Sequence, residues 1–392
     1  MRSSALERDR RVERRSGPRN LAALDSRFPS HRQTTERVPR RKDYVSFAVI
    51  AVLVILAGLF RALGVNDVVQ FVASAAALSL LAMAVSQGTE QVGLHLGSGA
   101  TGVLQSALGN LPELMVCVFA LRAGLVHVVQ AALIGSILAN SLLVLGLAIV
   151  VGGIKHGRMH FDAEAPRMIV SLMMLAVAAL AIPTLAAELH TPAAGHEWAL
   201  SAACSILLLC VFAASLPFSL SADPSRSVRH AEQADAAADA WPLWLAAVVL
   251  TLASLGAALV SEWFVDALEP AIEALHISQA FAGLVIVAIA GNAVENVAGL
   301  RLAARNRPDY ALSVILNSSL QIALVVGPAL VLLSFVLGGS VLTLVLPPLL
   351  IAALLLTTLT SAIIVNDGET IWIEGVALIG LYGIIAAAFW WG

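Results

Sequence analysis

Apolar residues fall along this chain in eleven blocks of roughly 20, the length that carries a helix across a bilayer core. Short stretches bearing charges, prolines or glycines separate them. The pattern predicts helices at about 45–63, 67–87, 101–121, 127–151, 167–187, 198–219, 242–262, 281–303, 310–337, 341–365 and 371–391. No interval between them is long enough for a soluble domain. The expected fold is an all-α polytopic membrane protein of about eleven transmembrane helices.

Composition agrees, with 59% hydrophobic residues, 12% charged residues and a mean hydropathy of +0.87. Cys117, Cys204 and Cys210 all lie inside apolar blocks, where neither a disulfide framework nor a zinc site of short cysteine spacing finds support. Residues 1–44 differ in kind. They hold thirteen of the 23 Lys and Arg and no apolar run, and read as a disordered basic tail and not a secretory signal.

Charge then orients the helices. With the tail cytoplasmic and each block crossing once, 21 of the 23 Lys and Arg fall on the cytoplasmic side, and only Arg61 and Arg122 fall outside. On the opposite side, "AAELHTPAAGHEW" and "SEWFVDALEPAIEALHISQ" carry acids and histidines but no Lys or Arg.

A polar motif recurs inside the apolar blocks. "GNLPE" ends at Glu113 and "GNAVE" at Glu295; twenty-two residues beyond each glutamate begin "GSILAN" and "NSSLQI", which contribute Ser136 and Ser318. Five crossings separate the matching helices, so the two copies run in opposite directions through the membrane. The expected plan is a leading helix (45–63), a first five-helix repeat (67–220), a cytoplasmic linker (221–241) and an inverted second repeat (242–392), with a site at the repeat interface near the midplane.

Residues three apart share a helix face, which sets Asn110 beside Glu113 and Asn292 beside Glu295. Pro112 lacks an N–H and is expected to free the Leu108 carbonyl; Gly109 and Gly291 precede the two asparagines, and Gly291 is expected to loosen its turn without breaking it. Intramembrane carboxylates at matching positions point to function, whereas serines and amides also serve as interhelical glue. Together Glu113, Glu295, Asn110, Asn292, Ser136, Ser318, Asn140 and Gln321 offer an all-oxygen shell suited to a hard divalent cation, calcium better than magnesium. Glu90 and Glu262, at the ends of their helices, are either relays towards that shell or ordinary interfacial carboxylates. His95, His127, His276, Asp266 and Glu269 read as solvated loop residues.

At these motifs, and at "GTEQVGLHLG", "SEWFVDALEP" and "NDGETIWIEGVALIGLY", the sequence from about residue 80 onward resembles the calcium/cation antiporter superfamily, most closely its cation/proton exchanger branch. The resemblance implies a secondary antiporter that exchanges Ca2+ for H+, with Glu113 and Glu295 as the alternating calcium and proton carboxylates. Leu111 and Pro112 stand where that branch usually has Ala and Thr, and Leu-Pro-Glu is similar to the sodium-coupled exchangers, which makes sodium-coupled calcium exchange the alternative. A passive channel or an intramembrane metal enzyme is the alternative of another class, and the His-Glu-x-x-His cluster such an enzyme uses is absent from the sequence. No enzymatic activity and no cofactor is expected; Ca2+ and H+ enter as substrates. The expected surroundings are a lipid bilayer, taken from the short loops and Ala-rich composition to be a bacterial inner membrane. A homo-oligomer is compatible with the sequence, and no nucleic-acid partner is expected.

Overall fold

The computed structural model describes residues 41–96, 104–105, 108–221 and 240–391. Nearly all of the expected basic tail and most of the expected linker lie outside the described residues. α1 (Arg41–Ala62) leads into α2 (Asp67–Leu96), and the first polar motif opens α3 (Leu111–Arg122). α4 (Val126–His156) continues through one widened π turn at Ala139–Val144. α5 (Glu164–Glu188) and α6 (Glu197–Ser221) complete the first half. The second half comprises α7 (Leu243–Leu275), α8 (Gln279–Gly291, its middle in π form), α9 (Ala293–Ala304), α10 (Pro308–Ser334, with a π turn at Ile322–Val326), α11 (Pro348–Ile364) and α12 (Trp372–Trp390).

Among the described residues eight helices are long and apolar enough to cross a membrane, or nine if the bent pair α8–α9 is one span. α11 is a shorter apolar helix, and the expected 101–121 crossing is described in full only from Leu108, so eleven is not a number these residues give. α4 and α10 form the centre, with 72% of the apolar 18-residue stretch of each enclosed, whereas that of α1 is 6% enclosed and turns Val49, Val52 and Ile55 outward. α2 and α7 pack along one another at the edge, α12 lies on the second part of α4, and α11 lies on α5. Small residues allow the central approach. A Cβ on Gly135 would overlap the backbone of Leu284 in α8, and one on Gly283 would sit 2.5 Å from the Val128 carbonyl oxygen of α4.

One offset relates the halves. Moving 182 positions along the chain takes Glu113 to Glu295, α3 onto α9 with both helices 12 residues long, and the π turn of α4 onto that of α10. The contacts between connections sort into two faces. A two-residue ribbon pairs β1 (Met159–His160) with β2 (Glu369–Thr370), Arg158 pairs with Glu369 at 2.5 Å, and Lys155 Nζ donates to Ala304 O at 2.9 Å. These belong to the basic face. On the opposite face Arg61 pairs with Asp266 at 2.7 Å, Trp198 packs edge-on against Phe335, and Gly339 lies against Leu121 and Arg122.

Four sequence expectations change. α7 runs to Leu275, because its apolar face continues beyond 262 through the buried Phe264, Leu268 and Ile272; Glu262, Asp266 and Glu269 are therefore exposed helical residues and not loop or helix-end residues. The expected helix at 341–365 begins only at Pro348, since Pro347 and Pro348 each force the preceding residue out of the α region, and residues 341–347 form neither helix nor strand. Gly291 does more than loosen a turn: α8 and α9 meet at a 64° bend. Pro112 lies in the first turn of α3 and not inside a helix, where its missing N–H has no helical acceptor to lose.

Candidate functional site

The chain leaves helical geometry at the asparagine in both motifs. Asn110 takes φ −95°, ψ 15° and Asn292 φ −101°, ψ 19°, each immediately before a new helix. Because only the first motif holds a proline, the break comes from the shared Gly-Asn pair and its packing. Glu113 and Glu295 thus lie in the first turn of α3 and α9, where unpaired backbone N–H groups and the helix dipole favour a negative charge.

α4 and α10 supply the other wall. The Ser136 hydroxyl donates to Glu113 Oε1. Asn292 Nδ2 donates to Ser136 Oγ at 2.9 Å, Asn140 Nδ2 to Ser318 Oγ at 2.9 Å and to Asn292 Oδ1 at 3.2 Å, and Asn110 Nδ2 to Gln321 Oε1 at 3.1 Å. Four of these links join first-half residues to second-half residues: Asn140 to Ser318 and to Asn292, Asn292 to Ser136, and Asn110 to Gln321. Glu113 is 2% exposed, and the atoms of its side chain lie 3.4–3.7 Å from where a Gly291 Cβ would stand, so the absence of a side chain there leaves room beside the carboxylate.

Two acceptors in this wall have no hydrogen-bond partner: Glu113 Oε2 and Asn140 Oδ1. A buried acceptor without a donor loses its hydration without replacement, so each is an oxygen suited to receive a proton or a cation. The halves are not identical here. Glu113 holds Ser136, whereas Ser318 turns its hydroxyl to Asn292 at 3.4 Å and not to Glu295, which is half-buried. Gln321, whose direction the sequence leaves open, reaches the site through Asn110.

Other expectations separate from the site. Glu90 and Glu262 are exposed, and no hydrogen bond among the described residues ties either to the Glu113 network. His95 lies in the last turn of α2 and contacts Gln91 O at 3.1 Å, and His276 ends α7 with φ 54°. One neighbour escaped the sequence reading. Ser79 of α2 contacts Ala290 O at 3.3 Å beside the break, and its counterpart at the 182 offset is the buried Ser261, a pairing the repeat could have revealed. Asn296, next to Glu295, has a buried Oδ1 with no partner. Among the described residues no three His, Cys, Asp or Glu come together, so any cation shell in this wall draws on two glutamates and neutral oxygens.

The chain matches the family described as sodium/calcium exchanger protein over residues 66–221 and 245–391. It is 33% identical to a Ca2+/H+ antiporter of Synechocystis sp. over 361 residues, covering 88% of this chain and 96% of the relative. It is also 33% identical to the Ca2+/H+ antiporter ChaA of Bacillus subtilis, covering 79% and 88% of the two chains. A solved structure of the Ca2+/H+ antiporter protein YfkE superposes with a TM-score of 0.75 at 30% identity, covering 88% of this chain and 99% of the other.

Proposed function

The chain belongs to the sodium/calcium exchanger family, an integral membrane family of transporters, and on that premise we propose that it is a secondary active antiporter exchanging Ca2+ for H+ by alternating access. The observation that carries this reading is the buried Glu113 carboxylate, which holds one hydroxyl, keeps one oxygen unpartnered and sits at the seam of the two halves.

A divalent cation taken between the halves would draw on the carboxylates of Glu113 and Glu295 and on the oxygens of Asn110, Asn292, Asn140, Ser136, Ser318 and Gln321. Calcium tolerates such a mixed, flexible shell of oxygens. Protonation removes the charge that holds the cation, so protons and calcium compete for the same oxygens. A doubly ionised empty site is costly to carry through a low-dielectric interior, and a site that crosses only when protonated or loaded couples the two fluxes. The Gly109-Asn110 and Gly291-Asn292 pairs shape the breaks that expose the site. The basic face is cytoplasmic in this reading, which follows the Lys and Arg distribution, and the membrane is a bacterial inner membrane.

Calcium flux into proteoliposomes, with pH and sodium gradients imposed separately, tests the proposal. Uptake is expected to follow an inside-acid gradient, to collapse when a protonophore equalises the pH, and to ignore sodium. Uptake that requires sodium would transfer the assignment to sodium-coupled exchange.

A further inference from the structure

Residues 341–347, in the connection between α10 and α11, form neither helix nor strand, bend at Leu344 and lie at the edge of the apolar core. Along it Leu342, Leu344 and Leu346 are buried at 1%, 3% and 5%, and alternate with the less covered Val341, Thr343 and Val345, the period of a strand. No strand adjoins it among the described residues. Side chains take a strand's place. Gln130 of α4 donates from Nε2 to Thr343 O at 3.2 Å and Val345 O at 2.9 Å. Thr184 of α5 donates to Leu344 O at 3.2 Å and accepts from Leu346 N at 2.9 Å. Ser201 of α6 accepts from Leu344 N at 2.9 Å, and Ser334 of α10 accepts from Leu342 N at 3.0 Å. Gln130, Thr184 and Ser201 are buried and belong to the half opposite the segment they hold. Away from water an unpaired backbone group costs several kcal/mol, so these contacts decide where the segment lies.

Leu344 and Leu346 form one side of a cavity of about 20 Å³ whose lining also includes Gln130, Ile137, Ile322 and Ala323. That is room for about one water. Ile137 follows Ser136 and Ile322 follows Gln321, so the cavity adjoins the two helices that carry the site wall, with the segment on one side of it.

The 182 offset adds a second argument. It carries Met159–His160 onto residues 341–342 and Pro166 onto Pro348, so the two connections are counterparts. The first crosses to the second half through the β1–β2 ladder on the basic face; the second crosses to the first half through hydroxyls and an amide on the opposite face. Each half is tied to the other at one mouth.

We propose that residues 341–347 gate the route from the opposite face to the Glu113–Glu295 wall, and that Gln130, Thr184 and Ser201 are positioning residues that keep this gate shut. The proposal rests on the transport reading of that wall, but its test reads accessibility and not exchange, so either can fail alone. In a background with Cys117, Cys204 and Cys210 replaced by Ala, Ala323→Cys reports on the cavity through its rate of reaction with a membrane-impermeant maleimide applied to oriented vesicles from either side. Thr184→Val removes the hydroxyl while keeping the shape and is expected to speed labelling from the opposite face about tenfold, or 1.4 kcal/mol, and to leave labelling from the basic face unchanged. Thr184→Ser keeps the hydroxyl and is expected to restore the parent rate. Three results overturn the proposal: no acceleration with Val, equal acceleration from both faces, or Ser behaving as Val. Should Thr184→Val fail to fold, Ser201→Ala is read by the same labelling against the same face criteria.

Discussion

Glu113 presents one oxygen to the Ser136 hydroxyl and leaves the other without a donor, and this division sets what each substitution removes. Glu113→Gln keeps size and hydrogen bonding but withdraws one of two negative charges from a low-dielectric site, so calcium binding is expected to weaken by about 3–5 kcal/mol. Glu295→Gln is expected to act in the same direction. Ser136→Ala leaves the charge and removes one donor, an expected loss of about 1–3 kcal/mol. Calorimetric titration of calcium into the purified protein separates these magnitudes; equal losses for Ser136→Ala and Glu113→Gln would mean that the carboxylate acts through its hydrogen bond and not its charge. For the unaltered chain the apparent calcium affinity is expected to fall as pH falls, since ligand oxygens that take up protons no longer attract the cation.

At the scale of elements, the two breaks at Asn110 and Asn292 have nearly the same dihedrals although only one is followed by a proline. Pro112→Ala is therefore expected to leave the break in place and to change calcium binding by less than about 1 kcal/mol, and the same titration checks it. Close packing is less forgiving. Gly135 brings α4 onto the backbone of α8, where a Cβ would overlap Leu284, so Gly135→Ala is expected to destabilise the fold by about 1–3 kcal/mol, read as a lowered unfolding temperature in detergent. An unchanged melting temperature would show that α8 can shift away without loss.

At the scale of the molecule, contacts among the described residues near the helix ends include two groups: residues 155–167, 304–309 and 366–370 on the basic face, and Arg61 with Asp266, Trp198 with Phe335 and Arg122 with Gly339 on the other. His160→Cys and His190→Cys are expected to label from opposite sides of the membrane, and labelling from one side would undo the inverted-repeat arrangement. The sequence by itself determined the apolar blocks, the sorting of Lys and Arg, and the repeat that pairs Glu113 with Glu295, because residence in lipid and charge at an interface are properties of each segment and are written in its composition. It also named Asn140, Ser318 and Gln321, but not which atoms they meet. Tertiary structure decided the rest: the break at Gly291, the length of α7, the β1–β2 ribbon and the non-helical run 341–347 held by Gln130, Thr184 and Ser201. Pro347 and Pro348 hinted at that run. A backbone that leaves the helix inside an apolar core persists only where groups distant in sequence satisfy its N–H and C=O, and their identity depends on how the two halves pack.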